Sequence, residues 1–397
     1  MQHKFTRREF LKAMGYTASS IALAGCKSQI LDDTAMYSSV KVERPVVSVV
    51  RIKNDNIDYA VRESIDLLGG INTITANKER IMLKPNLVSL NPHDTTNPKV
   101  IESLARLMLE SKKDVSIGEG SAVAGPNIIS NRVVCRTKDI DILNNIQKSV
   151  FENLGYAELA KKIHVPLVNL HTGEMKTVAN PMGFVFKKIS LHRSLTDTDL
   201  LCSVPMMKTH GLTGVTLGMK NLIGVYPGQV YGTVRSGVHN EAAKIEESGT
   251  ASAIVDMVQV NKLGLVVIDA SMAMQGQGPS VRYGGQLVKM DLIIAGTNPL
   301  AADITAAYIM GFEPEEISTF SFAWEVGMTP KSIGEIEIRG TQLNRVKKSF
   351  NRPRISPWEA LKDWWGLPCD YWRGDSPMKS GYLSTIDYGI NTFFQAD

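Results

Sequence analysis

The chain has 397 residues, 43% of them hydrophobic, and carries 44 Lys and Arg against 40 Asp and Glu. Four of those bases and one acid, Lys4, Arg7, Arg8, Lys12 and Glu9, lie in the first 25 residues, leaving 40 against 39 in the rest. A nearly neutral body lacks the basic field that nucleic-acid binding relies on, so no nucleic-acid partner is expected; the one block of like charge is the modest stretch Arg345 to Arg354.

In chain order, a polar start (Met1 to Thr6) leads into Arg7-Arg8, then Glu9 to Lys12, then a mildly apolar run from Ala13 to Ala24. That succession is how a secretory signal is built. The apolar run is about a dozen residues, short of the roughly 20 that a spanning helix needs, and Gly15, Thr17, Ser19 and Ser20 dilute it. Residues 1–25 therefore read as a twin-arginine signal peptide. Leu23-Ala24-Gly25-Cys26 fits the lipobox pattern, in which the Cys26 thiol takes a diacylglycerol and becomes the mature N-terminus. The competing reading is a frayed amphipathic helix with an accidental cysteine. The expected partners are the twin-arginine export machinery and a membrane reached through the lipid, and the expected location is periplasmic or cell-surface. Residues 26–44 are polar enough to serve as a tether.

The remaining chain, roughly 370 residues, suffices for a large core in one elaborate domain or two. Val46 to Ile52 is a β-branched run; Ile57 to Leu68 has helical spacing, with Asn56 before it as a cap and Gly69-Gly70 after it as a stop. Arg80 to Leu83 reads as a strand, Pro98 to about Ser111 as a helix opened by Asn97, and Val115 to Ile117 as a strand. A helix follows near Leu143 to Leu154, then strands near Val165 to Leu170 and Asp199 to Val204. A helix near Ser252 to Val260, strands Leu263 to Asp269 and Met290 to Ala295, and a helix from Pro299 to Met310 complete the rhythm. Apolar strands alternating with helices predict an α/β fold over residues 45–340: a parallel or mixed sheet with helices on both faces, in one body or two lobes. In such sheets the ligand crevice lies beyond the carboxyl ends of the strands.

Polar clusters follow several predicted strands. Leu83-Lys84-Pro85-Asn86 ends one strand on a lysine, and Gly118-Glu119-Gly120-Ser121 ends another on a carboxylate. The most distinctive segment, Met207 to Asn221, holds Lys208, His210, Thr213, Thr216, Lys220 and Asn221 among three glycines. Asp269 closes LGLVVIDA, and Asp303 lies in the helix after Asn298-Pro299. Each has a plainer explanation: a surface lysine, a glycine turn, an aspartate capping the next helix. Lysines at strand ends suit a carboxylate or phosphate, and glycine loops let backbone N–H groups approach an anion. His210 and His239 are candidate proton-transfer groups. Glu119, Asp269 and Asp303 could together hold a hard divalent cation. The chain has no Walker motif, GxGxxG, HExxH or GxSxG. Cys135, Cys202 and Cys369 are too widely spaced for a disulfide framework or an iron–sulfur motif, so buried thiols are expected and an iron–sulfur cluster is not.

LKPNLV (83–88), TTNPKVIESL (95–104), IGEGS (117–121), VPMMKTHGLTGVTLGMKNLIGVYPG (204–228), the isolated His239, VVIDA (266–270), GQGP (276–279) and the Asp303 helix stand in the order found in the bacterial and archaeal family called domain of unknown function 362. The chain resembles that family over about residues 45–340. Many members carry an attached ferredoxin-like cysteine module, which this chain lacks. The resemblance implies that Lys84, Asn86, Glu119, Lys208, His210, Lys220, Asn221, His239, Asp269 and Asp303 line a shared pocket, and it leaves the chemistry open.

Residues 341–397 differ: Trp358, Trp364, Trp365, Tyr371 and Trp372 crowd together, expected to cap the sheet or to meet a partner. Two functional readings emerge. In the first, an exported, lipid-anchored enzyme acts on an anionic small molecule, with Lys208, His210 and His239 catalytic, Lys84, Asn86, Lys220, Asn221 and Thr213 binding, and a metal on the acidic trio. In the second, the protein is a non-catalytic envelope binding or assembly factor.

Overall fold

The computed structural model describes residues 44–353, except 123–126, 130–131, 135–137, 233–234, 243, 245–248 and 282–283. Residues 1–43 and 354–397 lie outside the described residues, and with them Arg7, Arg8, Cys26 and the tryptophan-rich tail. Among the described residues no helix is long and apolar enough to cross a membrane.

One ten-stranded sheet carries the fold. Its strands are β1 (Val46–Arg51), β2 (Arg80–Pro85), β3 (Asp114–Glu119), β4 (Leu167–Asn169), β5 (Leu200–Val204), β6 (Met206–His210), β7 (Gly214–Thr216), β8 (Leu263–Gly276), β9 (Gly285–Gly296) and β10 (Glu337–Gly340). The order is β10-β1-β9-β8-β5-β2-β3-β4, with β6 alongside the far half of β8 and β7 paired to β6. Pairing is parallel from β8 through β5, β2 and β3 to β4, and antiparallel where β9 sits between β1 and β8. The strand after Asp199 stops at Val204, and Pro205 redirects the chain into β6, which runs parallel to β8 from Met206 opposite Asp269. β8 and β9 are longer than their apolar runs predict, because the pair continues past Asp269 with β6 on the other side of β8, so that Met274 lies opposite both Leu287 and Lys208.

Each central strand splits its side chains between two cores. Ile81, Leu83, Leu265, Val267, Ile293 and Ala295 pack on one face with α1 (Ile57–Asp66), α2 (Pro98–Glu110), α3 (Ile140–Asn153) and α4 (Tyr156–Ile163). Val266, Ile268, Leu292 and Ile294 face the other way, against α8 (Pro299–Ile309) and α9 (Ser318–Glu325). Met82 and Leu201 belong to a third cluster, also on this second side. Two-sided burial explains the continuous apolar runs.

Predicted caps hold. Asn56, Asn97 and Asn298 accept from Tyr59, Lys99 and Ala301 N–H, and Pro98 and Pro299 occupy the first helical turn, where no amide hydrogen is needed. Cys202 is buried and free, its thiol pushed well up by burial. The start of the C-terminal segment packs on the body: Phe350 is buried, Lys347 lies over the Tyr308 ring, and Arg352 reaches Glu316 and the Gly311 carbonyl.

Candidate functional site

The site gathers where β2, β3 and β5 end. Strand register sets Lys84 opposite Ser203, on the face occupied by Met82 and Leu201. Lys84 is 1% exposed, and its ammonium reaches Glu119 Oε1 and Oε2 at 2.9 and 3.0 Å, Asn221 Oδ1 at 3.0 Å and the Pro85 carbonyl at 2.9 Å. Burial pushes its pKa down, and the Glu119 charge opposes that. Glu119 also accepts the Leu87 and Gly120 N–H groups. Asn221 is pinned from both ends, donating to the Lys84 carbonyl and Ser203 Oγ while accepting from Lys84 and, at 3.3 Å, from Asn86 Nδ2. That bond turns Asn86 so that its Oδ1 is buried without a partner among the described residues.

Two glycines let this cluster close. A side chain at Gly224 would place its Cβ 2.7 Å from Glu119 Oε1 and 2.8 Å from Lys84 Nζ, and one at Gly120 would meet the Gly224 carbonyl at 2.7 Å. Neither has a positive φ, so close approach rather than backbone freedom requires glycine here.

Lys220 and Asn221 sit on the short helix α5 (Gly218–Asn221). Its first N–H groups, Gly218 and Met219, are capped by Asp303 at 2.7 and 2.9 Å, with Asp303 reaching across from α8. Burial raises the Asp303 pKa to about 7 against these two bonds. Among the described residues Lys220 Nζ has no hydrogen-bond or ion-pair partner. Burial, Lys84 and Arg235 push its pKa down to about 7. It nonetheless keeps some accessible surface, so solvent makes that depression milder than enclosure alone gives.

Lys208, fully buried on β6, donates to the Asp94 carbonyl at 2.7 Å and the Pro279 carbonyl at 3.2 Å. Burial lowers it to about 7, with Lys220 and Lys84 pressing the same way and Asp94 and Glu119 opposing. His210 accepts the Leu212 N–H at Nδ1, which places its ring proton on Nε2. Burial, Lys220, Lys208 and His239 hold it well below the usual histidine range, so the ring is neutral. His239, in the helix Ser236–Ala242, lies 3.1 Å from Thr250 Oγ1. Thr213 donates to the Val215 carbonyl within its own turn and joins no member of the cluster.

The acidic trio does not form one ligand set. Glu119 is committed to Lys84 and two N–H groups, and Asp303 to α5. Asp269 binds the Asn97 N–H at 2.8 Å and the Ser271 N–H and hydroxyl, tying the turn before α2 to β8. Among the described residues no three His, Cys, Asp or Glu side chains are grouped to hold a metal.

Sequence reasoning missed Asp94, Arg235, His171 and Gln147. Asp94, 1% exposed, binds the Ser89 and Ser280 hydroxyls and the Val281 N–H, closing the loop after β2 onto the Pro279 turn beside Lys208. Arg235, 2% exposed, spans the carbonyls of Gly120, Ile223 and Gly224, clamping the two glycine turns together, and burial lowers it to about 10. Both are lone residues without a local motif, and only the fold brings them in. The cations here are Lys84, Lys208, Arg235 and the partly exposed Lys220, and the buried carboxylates of the same region, Glu119, Asp94, Asp269 and Asp303, are all committed to hydrogen bonds within the protein. That leaves the Lys220 ammonium to attract an anion.

Known proteins share parts of this chain. A thylakoid-associated protein of Synechocystis sp. is 24% identical over 312 residues, covering 78% of this chain and 82% of that protein. Among solved structures, the lactate racemase apoprotein from Thermoanaerobacterium thermosaccharolyticum aligns at 12% identity and a TM-score of 0.39, over 67% of this chain and 57% of that one. A Thermotoga maritima protein aligns at 15% and 0.37, over 65% and 58%. This chain thus spans little more than half the length of either structure, and the likeness goes no further than partial fold. Residues 81–308, more than half of the chain, match a family profile. The chain belongs to the family described as domain of unknown function (DUF362).

Proposed function

We propose that this protein binds an anionic small molecule, a carboxylate or a phosphate, at the lysine cluster beyond β2, β3 and β5, and acts on it as an enzyme. The observation that carries the reading is Lys220: an ammonium with accessible surface and no partner among the described residues, beside three other cations and above a helix fixed by Asp303. A compact, point-like cation suits either anion. Lys84, Asn221 and Asn86 form the wall that holds α5 in place.

For chemistry, Lys208 is the base of this reading. Two of its amine positions are tied to carbonyls, which leaves one for a lone pair in the neutral form, and a lysine near neutrality fits general-base work. His210 is the hydrogen-bond donor, through Nε2–H, to charge that develops on the substrate. The same proposal keeps the exported, lipid-anchored state, supported by Arg7-Arg8 and the Leu23–Cys26 lipobox. A Cys26→Ser variant that stays with the membrane fraction, like the native chain, would count against the anchor.

The binding half is tested by isothermal titration of the full chain with inorganic phosphate and with succinate at pH 6.5. Lys220→Gln is expected to weaken the anion that binds by at least tenfold, and Lys220→Arg by much less. A Gln variant equal to native overturns the reading, as does native protein that takes up neither of these anions nor their hydroxylated relatives glycerol 3-phosphate and malate. A substrate whose turnover is lost in Lys208→Met while its binding persists separates the enzyme from a binding factor.

A further inference from the structure

Beside the lysine cluster, three deeply buried residues each present one atom without a partner among the described residues: His171 Nδ1, Gln147 Nε2 and Arg235 Nη1. They are 1%, 1% and 2% exposed. All three grip the same short turn. Gln147 Oε1 accepts the Ser121 N–H at 2.8 Å, His171 Nε2 lies 2.8 Å from the Ser121 carbonyl, and Arg235 Nη2 donates to the Gly120 carbonyl.

Those grips fix the hydrogen-bond sense of each bare atom. A carbonyl only accepts, so His171 carries its proton on Nε2. Burial and Arg235 hold the ring down to about 3, so it is neutral and Nδ1 is a lone pair. The Ser121 N–H selects the oxygen of Gln147, leaving its Nε2 as a donor, and Arg235 Nη1 can only donate. Gly228 packs close to this edge of the ring, where a Cβ would lie 2.5 Å from His171 Nδ1, so only glycine leaves that nitrogen uncovered by a side chain. The three side chains that grip the Gly120–Ser121 peptide therefore offer one bare acceptor and two bare donors.

An oxyanion can accept from the two donors but has nothing to give His171. A hydroxyl does both at once. Resting on the anion-site reading above, we infer that the anion bound here carries a hydroxyl, which donates its proton to His171 Nδ1 and accepts from Arg235 Nη1 or Gln147 Nε2. The ligand class is a hydroxylated anion, a hydroxycarboxylate or a polyol monophosphate, with its charged group toward Lys220. Buried polar groups left without partners are costly, and a site built to bond a hydroxyl rejects the analogue that lacks it by a large factor.

The test is isothermal titration of the full native chain at pH 6.5 with two matched pairs, glycerol 3-phosphate against propyl phosphate and malate against succinate. In the pair whose charged group fits, the hydroxylated member is expected to bind at least tenfold more tightly, and His171→Phe to bring the ratio toward one. The native comparison decides the matter even if the variant does not fold. Equal affinities within each pair would overturn this inference alone and assign the three bare atoms to buried water. Absence of binding by all four anions would overturn the anion site with it.

Discussion

Changing Glu119 to Gln removes one atom's charge and keeps the shape, yet the surroundings leave no orientation that works. Oε1 accepts the Gly120 N–H at 2.8 Å and Oε2 the Leu87 N–H at 2.9 Å, so the new amide nitrogen must face one donor or the other. Lys84 loses its ionic partner while 1% exposed. Breaking a buried ion pair from one side costs about 3–5 kcal/mol, and stranding a backbone N–H about 1–3 kcal/mol. The two overlap, which gives an expected loss of about 4–6 kcal/mol. Urea denaturation of the full chain reads this directly, and at an m-value of about 3 kcal/mol/M the midpoint falls by more than about 1 M. The double variant Lys84→Met/Glu119→Gln should recover part of the loss, because the stranded ammonium is gone. A single variant within about 1 kcal/mol of native, or a double variant no better than the single, would refute the argument that a buried pair organises the site.

Lys208 lies near 7 when folded and Lys220, partly exposed, is lowered in the same direction, against 10.5 for both when unfolded, so both are protonated at pH 6 and lose charge as pH rises. Sulfate, whose charge is fixed over this range, should bind tightly at pH 6 and weaken above 7 by up to about tenfold per unit per lysine; affinity flat from pH 6 to 9 would contradict it. The sign for stability is opposite. Between about 7 and 10.5 the unfolded chain holds the extra protons, so the unliganded protein gains stability as pH rises through that window, which thermal melts across the range would show. Asp303→Asn can keep only one of the two α5 N–H bonds and should cost about 1–3 kcal/mol while weakening phosphate through Lys220; unchanged phosphate affinity would sever α5 from the site. Gly224→Ala drives a Cβ to 2.7 Å from Glu119 and 2.8 Å from Lys84, so its melting temperature should fall, whereas Gly155→Ala, with no neighbour within 4 Å but a φ of +76°, isolates the cost of backbone strain alone.

Apolar runs and asparagine-proline caps made the sheet and α1, α2 and α8 legible, since burial on both faces leaves a continuous signal. Lysines and a glutamate just past strand ends pointed to the place where Lys84, Glu119, Lys208 and Lys220 gather. What the sequence hid was which carboxylates are spoken for. Glu119, Asp269 and Asp303 occupy similar positions in the pattern, and only the N–H groups around each reveal that they serve three separate networks. The continuation of β8 and β9 escaped notice because Ala270 to Gly276 mixes small and polar residues, which no apolar run marks. Arg235 and His171 carry no spacing signature at all.

The bond from Lys84 to Asn221 joins positions 137 residues apart. At roughly 5–20 residues per second, a ribosome needs about 7–27 s to make the second after the first. Through that interval Lys84 has no Asn221 to meet and Gly120 no Arg235, so any fragment ending before α5 carries half of a charged cluster whose other half does not yet exist. The completed site is thus a late marker of synthesis, and an antibody or probe that recognises it would report only chains translated past that point.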